Sequence, residues 1–477
     1  MQNAAAPGLA NNLKRRHLSM IAIAGVIGAG LFVGSGSVIR QAGPGAVLSY
    51  AAAGLVVILV MRMLGEMSTL NPDTGSFSTY ADRAIGRWAG FSIGWLYAWF
   101  WIIVLGVEAT AGALILNRWV PGIPQWGWAL GLMVALTLTN AISTKFFGEF
   151  EFWFAGIKVV AIIAFIAVGA LAIAGLIPGV TPPGTQNLLG HGGLFPNGAA
   201  AIGTAMLVVV FSFVGSEIAT IAAGETANPA AAVRAAVRSV IWRVMVFYIG
   251  SMTIVVTLLP WDSASVATSP FVAVIDSLGF PAAATVMDVV VLTSVLSCLN
   301  SGMYTASRML FSLARRKDAP AALGRASRGG TPRAAVLAAT LVGFLTVGLN
   351  YLFPEEVFLF LVNSSGAIAL FVWLVIAVSQ LRMRRLALRA GHTLELRMWL
   401  YPYLTWFTIV AIGALCVAML LQDETRSQLF LSGGLAVVLI AIGVVRYRGR
   451  VSPMPDAPMP DAPMPEVPAE SVSSGRE

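Results

Sequence analysis

The feature that most constrains this chain is a succession of long stretches without a single Asp, Glu, Lys or Arg. They run over 17–39, 41–61, 88–107, 119–144, 159–216, 244–261, 289–307, 334–354, 357–381, 398–422 and 427–445. A membrane-spanning helix needs about 20 predominantly apolar residues. The 159–216 stretch is far longer than that and is broken by Pro178 and the polar segment from Gly179 to Gly198, so it holds two helices. The remaining stretches hold one each, which predicts twelve spans and an all-α membrane protein.

Composition agrees. The chain is 57% hydrophobic and 11% charged, against about 25% charged in a soluble domain. Too few charges remain to cover a soluble surface, which excludes soluble enzymes, nucleic-acid-binding modules and disordered scaffolds. Cys298 and Cys416 lie in separate apolar runs, and His17, His191 and His392 stand apart from one another. That scatter supports no metal cluster, haem site or catalytic constellation, and no cofactor is expected.

Twelve spans put both termini on one side, and the basic residues choose it. With the termini inside, 26 of the 30 Lys and Arg residues fall in inner segments, and the outer loops hold only Arg40, Arg118 and Arg426. The first apolar run is long enough to span and lacks the pattern of a cleaved signal peptide. The predicted organisation is a cytoplasmic segment over 1–16, a transporter-sized helical domain over 17–447, and a Pro-rich, disordered cytoplasmic tail over 448–477. Within the domain, helices 1–5 occupy 17–180, helices 6–10 occupy 199–381 and helices 11–12 occupy 398–447. The expected location is the inner (plasma) membrane, multi-pass, with the lipid bilayer as a partner and no nucleic acid.

Two spans contain features a plain helix would avoid. The first carries Gly25, Gly28, Gly30, Gly34 and Gly36. Such glycines serve close helix packing. The cluster Ile27-Gly28-Ala29-Gly30 also suggests unwound backbone whose N–H groups would bind an anion such as a carboxylate. The sixth span runs through Phe213-Val214-Gly215-Ser216 into Glu217, an acid in an apolar run, and Phe32-Val33-Gly34-Ser35 repeats the same tetrapeptide in the first span. Interrupted helices in corresponding positions of two halves point to a transporter's binding site. Glu108, in the middle of the third span, is too short to reach water and reads as a buried functional or paired carboxylate. Lys158, at the start of the fifth charge-free stretch, reads either as a lysine snorkelling from the membrane edge or as a functional cation. Asp276 and Asp288 read as solvated or structural, and Arg308, Arg315, Arg316 and Lys317 as positive-inside anchors.

Together these residues resemble the amino acid–polyamine–organocation superfamily, and within it the bacterial amino acid permeases, from about Leu13 to about Arg446. The resemblance rests on Gly28-Ala29-Gly30-Leu31-Phe32, Gly215-Ser216-Glu217, Gly224-Glu225-Thr226-Ala227-Asn228-Pro229, and Ser307-Arg308-Met309-Leu310 with Asp318-Ala319-Pro320. Glu149-Phe150-Glu151-Phe152, Cys298-Leu299-Asn300-Ser301 and Ser364-Ser365-Gly366-Ala367 are similar to the gamma-aminobutyrate permease branch. The resemblance implies a LeuT-like fold, a five-plus-five inverted repeat with discontinuous first and sixth helices. It also implies uptake coupled to protons rather than sodium.

Carried over by position, the resemblance implies that Ala29 and Gly30 offer N–H groups to the substrate carboxylate, beside Gly28. The carbonyls of Val26, Phe211 and Val214 would face the amino group of an alpha-amino acid, and Phe211 and Phe213 would close over the substrate. Glu217 would steady the broken sixth helix, and Lys158 would stand where sodium-coupled relatives hold their ion. Some relatives carry an aromatic gate near Gly302, and this helix has none there. In gamma-aminobutyrate three methylenes separate the charges, so its ammonium needs a partner beyond the alpha-amine position, and Glu108 is the candidate. The expected function is therefore proton-coupled symport of gamma-aminobutyrate by alternating access. The alternatives are a permease or exchanger for lysine, proline or an aromatic amino acid, or a non-transporting amino acid sensor. A channel would need a continuous polar stripe, and no span has one.

Overall fold

The computed structural model describes residues 27–71, 76–142, 144–218, 220, 229–327 and 330–448. Val26, the expected N-terminal segment, residues 224–228 of the Gly224 motif and the tail from 449 onward lie outside the described residues.

Among the described residues all regular structure is helical. In chain order the helices are α1 (Ala29–Phe32), α2 (Gly34–Ala42), α3 (Ala46–Leu70), α4 (Ser76–Ala84), α5 (Arg87–Trp119), α6 (Gln125–Ile142) and α7 (Thr144–Ile173). There follow α8 (Ala200–Phe213), α9 (Pro229–Trp242), α10 (Ser251–Leu258), α11 (Ala264–Thr268), α12 (Pro270–Ser277) and α13 (Pro281–Arg315). The last four are α14 (Arg333–Leu352), α15 (Val357–Arg389), α16 (Tyr403–Leu421) and α17 (Asp423–Tyr447). Nine helical segments among the described residues are long and apolar enough to cross a membrane, and Ala200–Phe213 is a shorter apolar helix.

The interior is built around α5, which packs against α13, α15, α17 and α6, while α8 lies between α2, α3 and α15. Outward faces are apolar as well. Trp153, Trp242, Leu421 and Val445 are all more than two-thirds exposed, the distribution of a protein whose solvent is lipid.

The two segments differ around the shared tetrapeptide: Val33 keeps right-handed helical dihedrals and donates to the Ala29 carbonyl at 2.9 Å, so the irregular backbone of the first span lies at Gly28, before α1, whereas the sixth span breaks just after Phe213. Phe32 ends α1 and α2 resumes at Gly34. Phe213 ends α8, Val214 turns extended at ψ 146°, and Gly215 takes φ +100°, a conformation that favours glycine. The loop expected around Pro178 lies between α7 and α8, from Ala174 to Ala199.

One expectation is corrected. Lys158 does not sit at a span's start but near the middle of α7, because the helix runs back through Glu151 and Glu149 to Thr144. A charge-free stretch marks where charges stop, whereas a helix continues through charges that the bundle covers. Lys158 is 0% exposed, which removes the snorkelling alternative.

Buried polar groups also join distant segments. Glu66 on α3 accepts from Gln380 Nε2 at 2.8 Å, Arg384 Nη1 at 3.1 Å and the Met398 N–H at 2.6 Å. It thereby ties α15 and the connection to α16 onto α3. Removing one partner of a buried ion pair costs about 3–5 kcal/mol, because the other charge loses its compensation. Glu66→Ala is therefore expected to lower the melting temperature in detergent by several degrees, and an unchanged melting curve would refute the tie. Asp288, read as solvated or structural, accepts from Arg118 at 2.7 Å and from Trp119 Nε1 at 2.8 Å, a structural clamp between α13 and α5.

Candidate functional site

The breaks before α1 and after α8 meet beside α5 and α13, around a closed cavity of about 10 Å³. Its wall consists of Gly30, Phe211, Ser212 and Val214 from the broken helices, Phe100, Trp101, Val104 and Glu108 from α5, and Cys298 from α13. That volume is about the room one water needs, so an amino acid requires the two breaks to move apart.

Glycine sets how closely these walls approach. A Cβ on Gly28 would lie 2.6 Å from Glu108 Oε1 and 2.6 Å from Cys298 Cβ. A Cβ on Gly30 would lie 2.8 Å from Ser212 Cα. The glycine cluster therefore lets α1 touch both α5 and α8.

Glu108 is 1% exposed. Both of its oxygens accept from the Ala29 N–H, at 3.1 and 3.3 Å. The first amides of a helix lack intrahelical partners, and here a carboxylate of the protein itself takes one of them. This is anion binding at the break, as the glycine pattern suggested, but the anion is Glu108. Lys158 Nζ donates to the Ile27 carbonyl at 2.9 Å, on the other strand of the same break.

Gly30, Glu108, Phe211 and Val214 thus line the cavity, Gly28 and Ala29 stand against Glu108, and Lys158 holds the backbone one residue earlier. Phe213 does not join them. Its ring packs 4.3 Å from that of Tyr248 and 6.1 Å from that of Tyr50, centroid to centroid, on the far side of α8. Phe211 and Phe213 are two residues apart, and a helix points such residues to different faces. The Phe211 carbonyl accepts the Val214 N–H at 3.1 Å, closing the end of α8.

Glu217 lies behind the second break rather than in the cavity. Its Oε2 accepts the Gly215 N–H at 3.1 Å. Arg243, 2% exposed, donates to Ser216 Oγ at 2.6 Å. Together they hold the turn at Gly215 from inside the protein.

Five wall residues, Phe100, Trp101, Val104, Ser212 and Cys298, were not singled out as site residues from the sequence. Cys298 carried a signal, as the first residue of the Cys298-Leu299-Asn300-Ser301 stretch. Phe100 and Trp101 belong to the aromatic run Trp99-Phe100-Trp101, which in a membrane helix does not by itself separate a site from packing. Trp101 also accounts for the missing ring on α13, since its Cε3 lies 3.1 Å from where a Cβ on Gly302 would be.

A many-helix membrane protein with two interrupted helices meeting at an internal cavity has the design of a secondary transporter. Solved structures agree on the fold. The Eremococcus coleocola manganese transporter mutant H236A superposes with a TM-score of 0.57 at 13% identity, covering 91% of this chain and 93% of that one. MHP1, a nucleobase-cation-symport-1 family transporter in a closed conformation with bromovinylhydantoin bound, gives 0.53 at 15% identity, with 94% and 97% covered. The chain belongs to the amino acid permease family, whose signature matches residues 17–452. It is 56% identical to the gamma-aminobutyric acid permease of Bacillus subtilis over 94% of this chain and 96% of that one. The gamma-aminobutyric acid permease of Escherichia coli is 52% identical over 92% and 93%. These relatives are transporters, not enzymes, and the chain is an integral protein of the cell membrane that transports amino acids.

Proposed function

We propose that this protein is a proton-coupled symporter that takes gamma-aminobutyrate into the cell by alternating access. The observation that carries the reading is the buried Lys158 ammonium on the Ile27 carbonyl, at the same helix break where Glu108 occupies the Ala29 amide. The names of the 56% and 52% identical relatives favour gamma-aminobutyrate over other amino acids.

Twelve spans follow if Ala29–Leu70 is divided at the bend over Gly43–Gly45, where Gly43 has φ +62°, and if α6 and the broken helix at α8 are added to the others. The distribution of Lys and Arg then puts both termini in the cytoplasm. The shared tetrapeptide near the two breaks supports a five-plus-five repeat relating helices one and six.

In the mechanism we infer, the substrate carboxylate displaces Glu108 from the Ala29 amide and takes the neighbouring Gly30 amide as well. One N–H cannot serve two carboxylates, so binding of one releases the other. The freed Glu108 carboxylate then pairs with the gamma-ammonium across the cavity, which avoids leaving either charge buried alone. Phe211 closes against the methylenes, and the carbonyl of Val214 faces the ammonium end. Lys158 steadies the break while protonated. Once deprotonated it offers Ile27 no charged donor, and the break is free to return. Glu217 keeps the second break in shape throughout.

The test is uptake of radiolabelled gamma-aminobutyrate into proteoliposomes in sodium-free buffer, with and without an inward proton gradient. Concentrative uptake that requires the gradient is expected. Uptake of another amino acid in its place would keep the fold and overturn the substrate. Binding without any flux would instead indicate a sensor.

A further inference from the structure

The reading above leaves one buried acid unused. Glu151 is 0% exposed and lies on α7, seven residues before Lys158. Seven residues are nearly two helical turns, so the two side chains share a face about 10 Å apart along the axis. The two groups are within electrostatic reach of each other.

Glu151 is held from one side only. Its Oε1 accepts from Ser297 Oγ of α13 at 2.7 Å, while Oε2 has no hydrogen-bond partner among the described residues. Asn300 and Ser301, also on α13, stand close to the same carboxylate. Asn300 Nδ2 and Ser301 Oγ are likewise without a partner among the described residues. With only Ser297 in full hydrogen-bond geometry, the buried carboxylate, Asn300 Nδ2 and Ser301 Oγ form a loosely satisfied polar cluster. The charged or titratable groups facing this site are Lys158 on α7 and Cys298 on α13.

The cluster borders a pocket at the ends of α6 and α7. Asn300, Asn140, Thr139 and Glu149 supply the polar part of the wall of this half-open, mostly apolar pocket of about 500 Å³, and Ile142, Phe150, Trp153 and Phe154 supply the rest. Asn140 donates to Asn300 Oδ1 at 2.7 Å. In the orientation proposed above, this cavity lies at the cytoplasmic end of α7, with Glu151 between it and Lys158.

We propose that Glu151 relays the coupling proton from Lys158 to the cytoplasm. This rests on the proton-coupled reading of Lys158. The proton leaves Nζ for a Glu151 oxygen through water among Asn300 and Ser301, giving a neutral amine and a neutral acid. Glu151 then passes it past Asn300 and Glu149 to water at the cytoplasmic end of α7 and returns to a carboxylate. Ser297 positions the carboxylate, and its hydroxyl need not change protonation. Separating the relay from the substrate pocket lets proton release follow substrate release without passing through the cavity at Glu108.

The experiment compares wild type and Glu151→Gln in proteoliposomes by three readouts. These are gradient-driven gamma-aminobutyrate uptake, internal acidification followed with a trapped pH dye, and counterflow exchange at equal pH on both sides. Gradient-driven uptake and acidification are expected to fall about 100-fold, the lower end of what a positioned proton-transfer group contributes. Counterflow, which needs no net proton movement, stays near wild type. A Glu151→Gln protein that accumulates substrate at the wild-type rate overturns the relay. So does one whose pH profile shifts while its maximal rate is kept, since that marks a simple counter-ion. If wild type itself ignores the gradient, the proton-coupled reading fails and takes the relay with it. Should Glu151→Gln fail to fold, Glu151→Asp decides. Its carboxyl is one methylene further from Lys158, so slowed coupled uptake with intact counterflow is expected, and wild-type coupling overturns the proposal.

Discussion

Lys158→Ala is expected to reduce gradient-driven uptake about 100-fold, the equivalent of about 2.7 kcal/mol. The variant strips the Ile27 carbonyl of its donor, now 2.9 Å away, and removes the cation nearest two buried carboxylates, Glu108 and Glu151. Leaving a buried carbonyl without its donor costs about 1–3 kcal/mol. Part of that appears as lost stability, which a melting curve in detergent separates from lost transport. Lys158→Arg sharpens the test. A guanidinium keeps its charge at every accessible pH, so this variant should bind substrate and support counterflow yet accumulate nothing. Lys158→Ala that keeps proton-driven uptake and loses only exchange would reverse the assigned roles.

Gly30→Ala is the second large effect. Its added Cβ would lie 2.8 Å from Ser212 Cα, 2.9 Å from Ser212 Oγ and 3.0 Å from Phe211 Cδ1. The hydroxyl and the ring have some freedom to turn, but the backbone atom yields only if α1 and α8 separate. Overpacking of this kind costs about 1–3 kcal/mol, so uptake should fall between about 5-fold and 100-fold. Gly203→Ala on the same α8 provides the comparison. No atom lies within 4 Å of its Cβ, and transport should be unchanged. Equal behaviour of the two variants would mean that the contact between the breaks does not shape the site.

Much of the architecture was legible because membrane folding is governed by a local rule. A bilayer demands about 20 apolar residues per span and internal hydrogen bonding of the backbone, and both leave marks along the chain. The breaks were legible for a similar reason. In the sixth span helical geometry fails at Val214 of the Phe-Val-Gly-Ser stretch, and in the first span it is Gly28, in the glycine cluster, that departs from it. Glu108 announced itself as an acid too short to escape the middle of a span.

Glu151 and Phe213 were misjudged or passed over for opposite reasons. Glu151 was named only within the Glu149-Phe150-Glu151-Phe152 stretch and given no role, yet it is fully buried and bonded to Ser297 of α13. Phe213 shared a motif with Phe211, but helical rotation turned it toward Tyr50 and Tyr248. The fifth helix was placed too late because charge marks a membrane edge only where lipid is the neighbour.

By itself, then, the amino-acid sequence determined that this protein is a helical membrane transporter, where two of its helices break, and which side its basic residues favour. These follow from hydrophobicity, glycine content and charge, properties of short windows of chain. The tertiary structure alone decided that Glu108 takes the Ala29 amide, 79 residues away, and that Lys158 takes the Ile27 carbonyl, 131 residues away. It alone also decided that Trp101 and Cys298 wall the cavity and that Glu151 is buried beneath it. Such pairings depend on how helices pack and rotate against one another, and no local pattern records which face of one helix meets which face of the next.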